Sequence, residues 1–248
     1  MAGRLYGIID NPTETAGLIS PEMKTTAPFL SIFMLALALP GIALADACDE
    51  LPLPAVTLKR IEAPVTLNLT YSYGSLTNIG RELAGSGNKV LGLTRGNAVV
   101  RFETQIPSYI QQNSRFECAS PQLTIFYGFK PMTVYVAREF PPGSCAHKEI
   151  YEHEQRHVKT YEEHLAAIEK DIATTLNRRF ATGAPWRGPV GSTASRIQEE
   201  LDERWLPYIT REIERVKVAQ ALIDTPEEYA RITESCGGEI KNRLAKRP

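Results

Sequence analysis

Two hydrophobic periods divide the chain. Across residues 65–73, Val65, Leu67, Leu69, Tyr71 and Tyr73 alternate with Thr66, Asn68, Thr70 and Ser72, the period of a half-buried strand. Gly74 ends it, and residues 77–84 suit a short helix closed by Gly85-Ser86-Gly87-Asn88. A second strand is predicted over residues 97–105, with Ala98, Val100 and Phe102 on one face. Runs at 122–129 and 132–138 flank Lys130-Pro131. Proline cannot donate to a ladder, so the two runs read as a hairpin with Pro131 at its turn. Residues 46–64 read as an extended lead-in.

After Pro141-Pro142-Gly143-Ser144 the period becomes helical. Ile150, Glu154, His157, Tyr161, Leu165, Ile168 and Ile172 share one face, and Gln155, Lys159, Glu162, Glu163, Glu169 and Lys170 lie opposite. Residues 183–189 form an irregular connection. A second helix starts near Ser195, where Ser195 and Gln198 fit a capping box, and carries a stripe of Ile197, Leu201, Trp205 and Tyr208. Pro207 should kink it, moving the stripe to Ile209, Ile213, Val216 and Gln220. Asp224-Thr225-Pro226 opens a last short helix that ends at Cys236-Gly237-Gly238. The expected fold is α+β: a small, mainly antiparallel sheet, then a long helix and a second, kinked one. Residues 46–248 would form one domain, β-rich over 46–140 and helical over 141–248.

The amino terminus follows neither period. Lys24 precedes an apolar run at 28–39, then Pro40-Gly41 and Ala43-Leu44-Ala45, the pattern of a signal peptide over 23–45 cut before Asp46. The alternative is a membrane anchor at 28–45, for which the run is short and interrupted. Residues 1–22 read as a non-structural extension upstream of a start at Met23. Cys48, Cys118, Cys145 and Cys236 all follow the cut, without the close C-x-x-C spacing of metal sites. Even cysteine usage after an export signal predicts two disulfides, in one of three pairings, and a periplasmic or secreted location. With 28 basic and 29 acidic residues among 248, the charge excludes nucleic acid as an expected partner. After cleavage no stable membrane span is expected.

The candidate chemistry sits on the long helix. His153-Glu154-Gln155-Arg156-His157 is a His-Glu-x-x-His motif, and residues four apart on a helix share a face. His153 and His157 can therefore hold one metal ion, with Glu154 placed to take a proton from a water on it. Glu154 and His157 fall within the apolar stripe, where their burial costs several kcal/mol unless a metal or hydrogen bonds compensate. The competing reading is a polar cluster bonded only to itself.

The third ligand is open. Thr160 stands where a metzincin has the glycine that breaks the helix, and Glu163, at the ligand position, points to solvent in an unbroken helix. His164 is on the right face but roughly 16 Å along the axis from His153, so it, like Tyr161, is a candidate to support a ligand rather than to bind the ion. His147 could reach only from a loop. A carboxylate of the later helices remains: Glu199, Glu200, Asp202, Glu203, Glu212 or Asp224, with Glu200 preferred.

Over residues 66–172 the chain resembles a bacterial family of predicted secreted zinc-dependent proteases, whose domain is formally of unknown function. The likeness is carried by Tyr71-Ser72-Tyr73-Gly74, Thr77, Glu82-Leu83, Leu93-Thr94-Arg95-Gly96-Asn97-Ala98-Val99, Cys118 and His153-Glu154-Gln155-Arg156-His157-Val158. Gly96 replaces the family's tryptophan. The family's closing Tyr-Asp-x-x-Thr-x-His-Gly has no histidine counterpart near Asp224 or Thr233, where only Tyr229 and Cys236 stand in comparable places. The resemblance implies a zincin-like domain and metal-dependent hydrolysis.

The expected function is an exported, zinc-dependent metallopeptidase-like hydrolase acting on a peptide or protein. Zn²⁺ held by His153 and His157 would activate water, and Glu154 would pass the proton to the leaving amine. Tyr161 would orient a ligand or stabilise an oxyanion, and a strand at 132–138 would present an edge to an extended substrate. The alternative is a non-catalytic cell-envelope binding or assembly protein with a structural metal or none.

Overall fold

In the computed structural model the described residues are 47–81, 89–111 and 115–245, all within one compact unit, Leu44–Pro248. The expected signal peptide, the extension before it and the close of the 77–84 helix lie outside them. The strands are β1 (Ala55–Ile61), β2 (Val65–Asn68), β3 (Gly92–Gln105), β4 (Ser108–Ile110), β5 (Phe116–Ala119), β6 (Gln122–Val136) and β7 (Trp186–Pro189). The helices are α1 (Tyr73–Ile79), α2 (Cys145–Phe180), α3 (Thr193–Glu200), α4 (Leu206–Glu214), α5 (Val216–Ala221) and α6 (Pro226–Ala245). The fold is α+β.

The hairpin expected around Pro131 is instead one continuous strand, β6. Its buried residues run Leu123, Ile125, Tyr127, Phe129 and then Met132, Val134, Val136, one residue out of step across Lys130-Pro131. In a regular strand one extra residue would turn the second half inside out. Here it is taken up as a bulge in β6: Gly96 pairs with Met132 and Ala98 with Phe129, so Lys130 and Pro131 together oppose Asn97 of antiparallel β3. On the other edge, β1 pairs in parallel as far as Gly128 and β2 from Met132 onward, so Pro131 meets a gap between two strands. Its missing N–H thus falls where no ladder bond is due, which is why a mid-sheet proline is tolerated.

Two further corrections follow from pairing. The lead-in contains β1, parallel to β6, in which Val56 and Leu58 alternate with Thr57 and Lys59 and pack against the core. The connection 183–189 contains β7, antiparallel to β5, which with β4 makes a small second sheet. Antiparallel pairing predominates across the two sheets.

α2 is 36 residues long, about 54 Å, and is capped by Ser144, whose Oγ accepts from His147 N–H at 3.1 Å. α3 begins at Thr193 rather than at the expected capping box. Its first amides are taken by Glu117 of β5, whose carboxylate accepts from Gly191 N–H at 2.8 Å and Thr193 N–H at 2.7 Å. The helix widens to a π turn at Leu201–Trp205, just ahead of Pro207, which has no N–H to donate one turn back. α6 is interrupted by left-handed residues Cys236, Gly237 and Gly238 and resumes beyond them.

α2 lies across the sheet between two apolar clusters. Leu165, Ile172, Leu176 and Phe180 pack with the first half of β6 and with Ile197, Leu201, Trp205, Ile209 and Ile213. Ala146, Ile150 and Val158 pack with Val134 and Val136, with Leu76 of α1 and with Ile232 and Ile240 of α6. The motif falls where the clusters meet. No helix of the described residues is long and apolar enough to cross a membrane.

The disulfides are Cys48–Cys118, which ties the start of the fold to β5, and Cys145–Cys236, which ties the first turn of α2 to the break in α6. No described cysteine is free, as suits an oxidising compartment. The second bridge closes a long loop, 91 residues apart in sequence. Replacing Cys145 and Cys236 together by serine should lower unfolding free energy by about 2–5 kcal/mol, read from urea unfolding of both proteins.

Candidate metal centre

His153 and His157 follow one another by one turn on the buried face of α2, and both rings direct Nε2 towards the same point. His153 Nε2 and His157 Nε2 are 3.2 Å apart, and Asp224 Oδ1 lies 3.1 Å from each. Asp224 stands in the turn between α5 and α6. The last helix opens where Asp224-Thr225-Pro226 was expected to open it: α6 starts at Pro226, and Thr225 caps it through Oγ1, which accepts from Glu228 N–H at 3.2 Å. That leaves the Asp224 carboxylate free to face the histidines.

These three side chains form a group able to hold a metal ion. Tetrahedral bonds of about 2.0–2.1 Å imply donor separations of roughly 3.3 Å, and the triangle here is within 0.2 Å of that. Two neutral imidazoles and one carboxylate are a donor set that suits zinc or another divalent transition ion.

The far side of each ring is also held. His157 Nδ1 contacts Gln220 Oε1, and the Gln220 amide is oriented by donating Nε2–H to the His157 carbonyl at 3.1 Å. His153 Nδ1 is 3.3 Å from Glu228 Oε1 and 2.8 Å from Arg156 Nη2, which itself pairs with Glu228. In the tautomer that leaves His153 Nε2 a lone pair, Nδ1–H and Arg156 both donate to that carboxylate. Arg231 adds a further bond to Glu228 and extends to Glu149.

Glu154 is buried, and its Oε2 accepts from Thr94 Oγ1 of β3 at 2.7 Å. Helix and strand approach so closely here that β3 needs glycine at 92: a Cβ there would stand 2.4 Å from Glu154 Oε1 and 2.7 Å from Ile150 Cγ2. Burial pushes the Glu154 carboxyl above its ordinary value, against the opposing pull of His157, His153 and Thr94. Burial also works against ionised Asp224, but hydrogen bonds from His153 and His157 outweigh it and hold that carboxyl well below the usual range. His157 loses by burial and gains more from Asp224 and Glu154, so its pKa rises. Arg231, ahead of Arg156 and His153, holds Glu228 down to about 2 despite partial burial.

The other sequence candidates separate. Tyr161 lines the same cleft, its ring against Phe129 at 4.5 Å. Glu200 is elsewhere: it accepts from Arg179 Nε at 2.7 Å and from Trp205 Nε1 at 3.0 Å, where it anchors the π turn. Asp202 accepts from Gln198, Glu212 pairs with Arg215, and Glu199 and Glu203 are exposed. Glu163 is exposed beside Lys159. His164 Nε2 meets the Glu212 carbonyl at 2.8 Å rather than the site, and His147 is helical with Nδ1 3.0 Å from the Phe140 carbonyl. Gln220 and Glu228 had no place among the expected site residues, and Thr94 and Tyr229, which line the same cleft, entered only with the family resemblance. One signal was present: Gln220, Asp224 and Glu228 repeat at intervals of four, matching His153 and His157.

The group opens on a cleft of about 870 Å³ between α2, residues 92–98 of β3 and the segment 214–229. The edge strand at the cleft is thus β3, which pairs only with β6 among the described strands, while β1 and β2 form the opposite edge; residues 132–136, expected to offer an edge, are central and paired on both sides.

Two measurements check this geometry. Gly92→Ala should destabilise by about 1–3 kcal/mol in chemical unfolding, because Glu154 or α2 must move. Glu228 has a folded pKa near 2 against an ordinary 4.5, so its contribution is complete above 4.5 and lost as pH falls through 2. The stability gap between wild type and Glu228→Gln should therefore be largest near neutrality and close as pH falls across that window. Comparison of the chain with known protein families, with curated proteins and with solved structures gives no match.

Proposed function

We propose that the protein is an exported zinc-dependent hydrolase of the metallopeptidase kind. The observation that carries this reading is the convergence of His153, His157 and Asp224 within 3.2 Å of one another, beside a buried glutamate and at the wall of an open cleft. A purely structural polar cluster has no need of a cleft, nor of a carboxylate whose burial raises its pKa. The resemblance to predicted secreted zinc-dependent proteases and the two disulfides support the same reading.

His153, His157 and Asp224 would hold the ion. When bound, zinc supplies Lewis acidity, which brings a water's pKa towards neutrality and polarises a carbonyl. Glu154, its carboxylate held by Thr94, would take the proton of the attacking water and pass it to the leaving amine. The upper part of β3 offers an unpaired edge along the cleft, where an extended peptide adds as a further strand. Tyr161, in the cleft wall against Phe129, can donate to the substrate's carbonyl oxygen.

Purified protein should bind about one equivalent of zinc and cleave members of a quenched-fluorescence peptide library. Glu154→Gln should keep the zinc and lose hydrolysis by about 100-fold or more. Hydrolysis unchanged in the variant, or a wild type that takes up no zinc, would overturn the reading and favour a non-catalytic envelope protein.

A further inference from the structure

We infer that Gln220 is a positioning residue for His157, and that Gln220, Asp224 and Glu228 act together as a clamp on the His-x-x-x-His pair. The inference rests on the metal reading above and adds to it which residues make the two imidazoles competent ligands. Residues 220, 224 and 228 are spaced by four, like a mirror of 153 and 157, although only the first lies in α5 and the last in α6. The middle residue faces both Nε2 atoms, and the outer two face one Nδ1 each.

The chemistry follows from imidazole's two nitrogens. A neutral ring carries one proton, and only the nitrogen without it has a lone pair for a metal. Asp224 Oδ1 lies 3.1 Å from His157 Nε2 and draws the proton towards that atom, which would block ligation and occupy the carboxylate at once. Gln220 Oε1 is the competing acceptor at Nδ1. Its amide cannot turn away, because its NH₂ is engaged by the His157 carbonyl at 3.1 Å. The same glutamine thus reads ring and backbone of one residue, and it keeps the proton on the far side of the ring when Nε2 is needed.

Two substitutions separate positioning from packing. Gln220→Leu and Gln220→Glu both remove the donor to the His157 carbonyl, but only glutamate keeps an acceptor for Nδ1–H. Zinc affinity, measured by competition with a chromophoric chelator, should fall about 10–100-fold in Gln220→Leu and by clearly less in Gln220→Glu. Unfolding midpoints of the two metal-free variants should be alike. Equal loss of affinity in both variants, or no loss in Gln220→Leu, would overturn the inference while leaving the metal reading in place. A wild type that binds no zinc would overturn both.

Discussion

The dehydration of His153, Glu154 and His157 on one face of α2 is the constraint around which this structure is arranged. Each is nearly inaccessible to water, and the helix face they occupy continues on either side into apolar core. An unpartnered carboxylate or imidazolium there would cost several kcal/mol, comparable with the whole stability of a domain this size. Partners must therefore come from elsewhere, and they come from both sides. β3 supplies Thr94 to Glu154, and the segment from α5 to α6 supplies Gln220, Asp224 and Glu228 to the histidines.

Bringing those partners in depends on features remote from the motif. β3 reaches α2 only because residue 92 is glycine. Its register relative to β6 is kept by a shift opposite Pro131, so that both halves of the sheet present apolar faces to the helix. The π turn at Leu201–Trp205, anchored by Glu200 and Arg179, redirects the second helical stretch over the sheet. The Cys145–Cys236 bridge then fastens α6 to the start of α2, on the same pair of helices that carry the histidines and Glu228. Two arginines, Arg156 and Arg231, offset the negative charge that Asp224 and Glu228 bring to the rings.

The helical half was legible because periodicity and burial agree over long runs. Ile150, Glu154, His157 and Leu165 lie on the buried face that their spacing marks, and Pro207 does disturb the second helix. The sheet was less so. β1 carries only a short alternation, Val56 and Leu58 against Thr57 and Lys59, among the prolines of the lead-in, and the four residues of β7 carry none; β6 and β5 offer them their edges. Pro131 was misread as a turn because its tolerance depends on two neighbouring strands that only the fold brings together.

At the site, local sequence marked what one helix can place, His153, Glu154 and His157. It did not mark what a turn 67 residues beyond His157 places there, Asp224. Glu200 was preferred among carboxylates with no criterion to separate them; its role is a bidentate pair with Arg179, which depends on tertiary packing. The four-residue rhythm of Gln220, Asp224 and Glu228 is the one clue that a longer look at spacing could have used.

The central claim is that His153, His157 and Asp224 make one metal site. X-ray absorption at the zinc edge, on zinc-loaded wild type and Asp224→Ala, tests it most directly. The account predicts two imidazole nitrogens and a carboxylate oxygen at about 2.0–2.1 Å in the wild type, with one protein oxygen lost in the variant. A coordination shell unchanged by removal of Asp224, or one containing no imidazole, would contradict it.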